Sequence, residues 1–217
     1  MHIGKGNHGK NPSISGANFK GTYIAEELHF HWGSSAIFGS EHRIDGKRFD
    51  IEMHIVHRHQ KYLSLVEAAD YSDGVAVIGV MISIVRDKYE TYPVSNVVNL
   101  FEKLAFIQKY KTITYLPEYF TLGSMLKDLN TQYFYTYMGS LTTPNCNENV
   151  HWIVFQKPIR VPPNPTFKLF QLKNIKKLPI LYNFRKIQNL NSRTIRFSLE
   201  LFCHDQQSEE CSSLKIK

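Results

Sequence analysis

The sequence predicts a mixed, β-dominated (α+β) fold in a single domain, on three observations. Short runs rich in β-branched and aromatic residues recur between turn signals, at 27–32, 49–57, 75–85, 134–137, 150–155 and 194–202, and read as strands. One of them, 75–82, is nearly all apolar, as a central strand buried on both faces would be. Helical periodicity is weak and confined to two stretches. In the first, Val94, Val97, Val98, Phe101 and Leu104 fit one helix face, and Pro93 suits its first turn. The second, 166–172, is shorter. The segment 158–165 carries four prolines and is predicted to be an extended connection.

The 217 residues suffice for one domain with a sizeable core, and 42% hydrophobic and 13% aromatic content argues against disorder. No apolar run has the length of a membrane span, so no transmembrane segment is expected. Residues 1–10 are polar and basic without an apolar core, so no secretory leader is read there. The formal charge is +7, and the excess is uneven: no Asp or Glu occurs between Asn149 and Leu199. This stretch reads as a solvated basic face; the alternative is a surface for a polyanion, a membrane or a partner. No zinc-finger spacing or RNA-binding aromatic motif accompanies the charge, so no nucleic acid is expected. The three cysteines, Cys146, Cys203 and Cys211, form no CxxC. Cys203 and Cys211 are close enough in sequence to pair, which leaves Cys146 alone.

Placement makes the histidines informative. In Leu28-His29-Phe30-His31-Trp32, strand alternation puts His29 and His31 on one face. A second strand, Asp50-Ile51-Glu52-Met53-His54-Ile55-Val56-His57, places His54 23 residues after His31. If the two strands pair, His54 meets His29 and His31 in a three-nitrogen site suited to catalytic zinc, with Glu52 on the same face to accept a ring N–H. Spacing alone leaves open the plainer reading, in which these histidines merely share a polar sheet face.

Glu27-Leu28-His29-Phe30-His31-Trp32-Gly33-Ser34, then Gly39-Ser40-Glu41-His42, then Glu52-Met53-His54-Ile55-Val56-His57, resembles the zinc-site signature of the α-class carbonic anhydrases of metazoan type. Further matches follow in order: Asp73 to Val80; Tyr137 with Gly139-Ser140-Leu141-Thr142-Thr143-Pro144; Val150 to Phe155; and Asn183-Phe184-Arg185 with Gln188, Leu190 and Arg193. The resemblance implies a large twisted, mostly antiparallel central sheet with short peripheral helices. It implies an enzyme, a carbonate dehydratase, that hydrates carbon dioxide reversibly to bicarbonate and a proton by a zinc-bound hydroxide. The cofactor implied is Zn2+ on His29, His31 and His54. Thr142 would accept the hydrogen bond of the hydroxide and donate its own to Glu41. Glu27, Glu52 and Asn183 would support the ligands, and His42 and Tyr137 would form a hydrogen-bonded pair. Val56, Val77, Leu141 and Trp152 would wall an apolar substrate pocket, with Thr143 bounding the bicarbonate. Sulfonamide-type inhibitors are implied as ligands.

Glu27 stands where many relatives carry glutamine; a carboxylate there makes the imidazole a stronger donor. Met138 and Lys186 replace common prolines. The layout expected is a non-matching segment 1–12, a catalytic domain 13–202 that is incomplete at its N-terminus, and a polar tail 203–217. In secreted relatives the cysteine matching Cys146 pairs with one upstream, which implies a secreted or extracellular full-length relative. The alternative function is a non-catalytic protein on the same fold that holds a polyanion or partner on its basic surface.

Overall fold

The computed structural model describes residues 1–5, 9, 11–17, 19–91, 95–117, 120–199 and 215–216. Nine strands form one sheet: β1 (Ser13–Ser15), β2 (Tyr23–Trp32), β3 (Ile51–His59), β4 (Val75–Ile84), β5 (Tyr133–Gly139), β6 (Val150–Phe155), β7 (Ile159–Val161), β8 (Arg196–Leu199) and β9 (Lys215–Ile216). Their order is β8-β5-β6-β4-β3-β2-β1-β9, with β7 also paired to β4. All neighbours are antiparallel except β4 with β6 and β4 with β7. The sheet is thus mostly antiparallel, and its few helices are short. No helix among the described residues is long and apolar enough to cross a membrane.

Strand alternation sorts the side chains onto two faces. On one face, Leu28, Met53, Ile55, Ile78, Val80 and Ile153 form the larger core. A helix, Val97–Lys103, packs there through Val97, Val98 and Phe101, and runs on into a 3-10 turn over Leu104–Phe106. The predicted start at Pro93 and Val94 lies outside the described residues, as do Cys203 and Cys211. On the other face, Val56, Val75, Val77, Met81, Trp152 and Val154 form a smaller cluster. The histidines of interest project from that second face, beside this cluster.

The expectation of an extended connection over 158–165 is corrected in part. Residues Ile159–Val161 form β7, parallel to the end of β4, and a short helix, Pro163–Phe167, follows at once. A 3-10 turn, Leu169–Gln171, continues it. Four prolines fit because of where they fall. Pro158 and Pro162 flank β7, and Pro163 and Pro165 lie in the first helical turn, where backbone N–H groups lack partners anyway. Thr166 Oγ1 closes that turn on the Pro162 carbonyl at 2.7 Å.

The loop between β2 and β3 folds back against the end of β2. Gly39 donates to the Phe49 and Asp50 carbonyls, and a Cβ on it would lie 1.8 Å from the Gly33 nitrogen and 2.1 Å from the Trp32 carbonyl carbon. These are backbone atoms and cannot rotate aside. Gly39→Ala is therefore expected to cost about 2–3 kcal/mol of stability, read as a lower urea midpoint at constant slope. An unmoved midpoint would contradict this close approach.

Candidate metal centre

The antiparallel register of β2 and β3 sets His29 directly opposite His54, and His31 opposite Glu52. A bulge between Ala25 and Glu27 makes this possible. Before it, odd-numbered Tyr23 and Ala25 face the larger core; after it, even-numbered Leu28 and Phe30 do. The extra residue changes the parity of the strand, so Glu27, His29 and His31 turn to the other face.

His29, His31 and His54 each offer a ligand atom, and these atoms lie within 4.8 Å of one another. Each ring is also tied back through one nitrogen. His29 Nδ1 lies 3.3 Å from Glu27 Oε1. His31 Nδ1–H donates to the Asn183 carbonyl oxygen at 2.8 Å, and Asn183 is itself clamped to β2, its side chain bonding Trp32 N–H and the Phe30 carbonyl. His54 Nε2–H donates to Glu52 Oε1 at 2.7 Å. Such anchoring fixes the tautomer and leaves one lone pair free on each ring.

Burial favours the neutral rings that bind metals. It lowers His31, against the pull of Glu41, and pushes His54 down to about 3, against the pull of Glu52. Glu52 is wholly buried, which alone would raise its carboxyl. The facing His42 and His54, with hydrogen bonds from both, instead hold it well below the usual carboxylate range. The hydrogen bond with His29 likewise lowers Glu27.

His31 Nε2 is buried and has no hydrogen-bond partner. An orphaned lone pair beside two anchored imidazoles is what a divalent cation with a taste for nitrogen would satisfy. His42, Glu52 and His54 form a second group at metal-ligand distance, but His42 Nδ1 and His54 Nε2 are already bonded to Glu52 Oε1 at 2.6 and 2.7 Å. The first group is therefore the better fit. His42 completes a brace rather than a ligand set: its backbone N–H also donates to Glu52, and its Nε2 lies 2.7 Å from the Tyr137 hydroxyl.

Val56, Val77, Leu141, Thr143 and Trp152 line one cavity of about 130 Å³, together with Glu27, His29, His54 and Thr142. Leu65, Ala69 and Val75 complete the wall and were not foreseen, although alternation from Val77 leads directly to Val75. Thr142 also borders a larger cavity with Glu41. The implied Thr142–Glu41 hydrogen bond is not made among the described residues. Glu41 Oε1 accepts from the Arg185 N–H at 2.6 Å, while Oε2 has no hydrogen-bond partner and lies 3.3 Å from His31 Nε2 and 3.9 Å from His54 Nδ1. The free oxygen is thus turned to the imidazoles rather than to Thr142. Arg185 is a site residue that the sequence reading passed over; only its place two residues after Asn183 in the motif could have marked it.

The acid-free run is divided in space. Arg160 pairs with Glu90, Lys173, Lys176 and Lys177 lie by a turn closed by Asn174, and Arg185, Lys186 and Arg193 line the larger cavity.

Comparison with known proteins agrees with this geometry. The chain is similar to carbonic anhydrase 6 of Bos taurus, 37% identical over 195 residues that cover 85% of this chain and 57% of the bovine protein. It is 39% identical to carbonic anhydrase 6 of Homo sapiens, over 80% of this chain and 55% of that one. It is 34% identical to carbonic anhydrase 7 of Mus musculus, over 86% of this chain and 69% of the murine protein. The chain thus spans little more than half the length of the first two relatives. Residues 2–199 match the family model of the eukaryotic-type carbonic anhydrases, so the anchored histidines lie inside the matched span and the chain belongs to that family.

Proposed function

We propose that the protein hydrates carbon dioxide reversibly to bicarbonate and a proton, with zinc on His29, His31 and His54. The observation that carries this reading is that each of the three imidazoles is held through one nitrogen, and that a buried lone pair at His31 remains unpartnered. Three neutral histidines with an open fourth position suit catalytic zinc. When bound, zinc lowers the pKa of a coordinated water to about 7, so that hydroxide is at hand near neutral pH.

The protein's own groups have separate tasks. Glu27, the Asn183 carbonyl and Glu52 fix the three rings. His42, braced by Tyr137, fixes Glu52 in turn. Val56, Val77, Leu141 and Trp152 offer a small apolar solute a place from which water is excluded. Thr142, with a hydroxyl that both donates and accepts, orients the nucleophile. Glu41 accepts only, and the bond that Thr142 would donate to it sets one direction along that chain; both residues border the larger cavity from which such a bond would form.

The direct test is stopped-flow hydration of zinc-loaded protein. Stripping the metal with a chelator is expected to bring the rate to the buffer background, and zinc is expected to restore it. A loaded protein no faster than buffer would overturn the proposal. Binding of an unsubstituted aromatic sulfonamide is a second expectation, because its ionised nitrogen is a good zinc ligand and its ring suits the apolar wall. Calorimetry should show binding at about one ligand per zinc in loaded protein and none after stripping. Equal heats in the two forms would place the sulfonamide elsewhere.

A further inference from the structure

Beside the histidine pocket, and bordered like it by Thr142, lies a separate cavity of about 490 Å³. Its wall combines charge with apolar surface. Arg43, Arg185, Lys186 and Arg193 line it, against one carboxylate, Glu41. Among the described residues none of these four cations forms an ion pair with an acid. The side chain of Arg185 is held by the Ser140 hydroxyl at 3.1 Å and the Leu141 carbonyl at 3.4 Å. Arg193 donates Nε–H to the Leu190 carbonyl at 3.0 Å and Nη2 to the Asn189 carbonyl, and its guanidinium lies over the Tyr137 ring at 5.6 Å. Neutral acceptors thus hold both half-buried guanidinium groups in place and leave their charge uncompensated. Ile187, Leu190 and Ile195, each about half exposed, line the same cavity.

We propose that this cavity is a second binding site, for a small organic anion that sets a carboxylate against Arg193 and Lys186 and an apolar body against Ile187, Leu190 and Ile195. A preset guanidinium loses little freedom on pairing and bonds a planar carboxylate through two N–H groups. The volume far exceeds what bicarbonate alone would fill, and the apolar residues would reward a larger body. Arg185, whose backbone N–H bonds Glu41, stands beside the one negative charge on the wall, so the head is assigned to Arg193 and Lys186 instead.

The test uses 2-naphthoate with the zinc-loaded protein and with the chelator-stripped protein, with and without a saturating aromatic sulfonamide. Saturable one-to-one binding is expected in every case. The neutral analogue 2-naphthalenemethanol is expected to bind at least about tenfold more weakly, since it keeps the body and lacks the charge. Arg193→Gln is expected to weaken naphthoate by about tenfold or more. Should that variant not fold, Ile187→Glu carries the test. It sets a carboxylate on the half-exposed rim and is expected to weaken binding by a similar factor. The proposal is overturned by any of four results. These are no saturable binding up to about 10 mM, binding abolished by the sulfonamide, equal affinity for the alcohol, or unchanged affinity in the variants that fold. Failure of the sulfonamide itself to bind would count against the hydration reading alone, because naphthoate binding to stripped protein is independent of the metal.

Discussion

His31→Ala and His54→Ala are each expected to retain less than about a tenth of the zinc of the unaltered protein after dialysis, measured by elemental analysis. Both side chains are buried, and each offers one nitrogen to the site while the other is bonded to the fold. Removing one leaves two imidazoles, and a two-nitrogen site in the same cavity is far weaker. Loss of metal must be separated from loss of fold. Replacing a buried histidine by alanine leaves a void and strands its partner, the Asn183 carbonyl or Glu52. Circular dichroism therefore accompanies the assay, and His54→Asn provides a polar replacement. Glu52→Gln is the informative companion. It keeps the volume and the hydrogen-bonding oxygen but removes the charge that both His42 and His54 face. Its zinc affinity is expected to fall about 10- to 100-fold, less than for a lost ligand. Full zinc in all folded histidine variants would place the metal site elsewhere.

Much of this fold is legible in the sequence because alternation is a local signal. The run 150–155 is a strand at those same bounds, and the apolar run beginning at Val75 is the buried strand β4 between β3 and β6. Two things were not legible. The bulge after Ala25 depends on how β2 pairs with β3, and pairing is not local. Without it, His29 and His31 would still share a face, but it would be the face of Tyr23 and Ala25, in the larger core. The strand β7 was hidden by its prolines, which forbid pairing only at their own positions. At the site, spacing puts His29 and His31 on one strand face and Glu52 on the face of His54, and the motif resemblance, not the spacing, decides for a metal. The Asn183 carbonyl that anchors His31 has no local signal, since it lies 152 residues away and any residue type could supply it; only the resemblance pointed to Asn183. Nor could sequence show that Glu41 turns its free oxygen to the histidines, because that orientation is decided by the Arg185 N–H which takes the other oxygen.

Thr142→Ala is expected to keep its zinc and to lose hydration activity by about 100-fold or more, a split that separates orientation from metal binding. The residue reaches both cavities, the apolar one with His29 and His54 and the charged one with Glu41. It belongs to the loop after β5, outside the strands that carry the histidines, and anchors none of the three rings. Zinc content should therefore stay within experimental error of the parent. What the variant removes is a hydroxyl that can accept one hydrogen bond from the nucleophile and donate another to a carboxylate. Alanine does neither, so the nucleophile would be present but free to point its proton at the substrate. Thr142→Ser keeps the hydroxyl and loses only a methyl group, and it is expected to recover most of the rate. Glu41→Gln supplies the converse, since an amide can donate where the carboxylate only accepts, and it is expected to slow hydration while zinc stays bound. If zinc-loaded Thr142→Ala runs at the parental rate, the hydroxyl has no part in catalysis. If Thr142→Ser is as slow as Thr142→Ala, the loss comes from a disturbed loop rather than from the missing hydrogen bond.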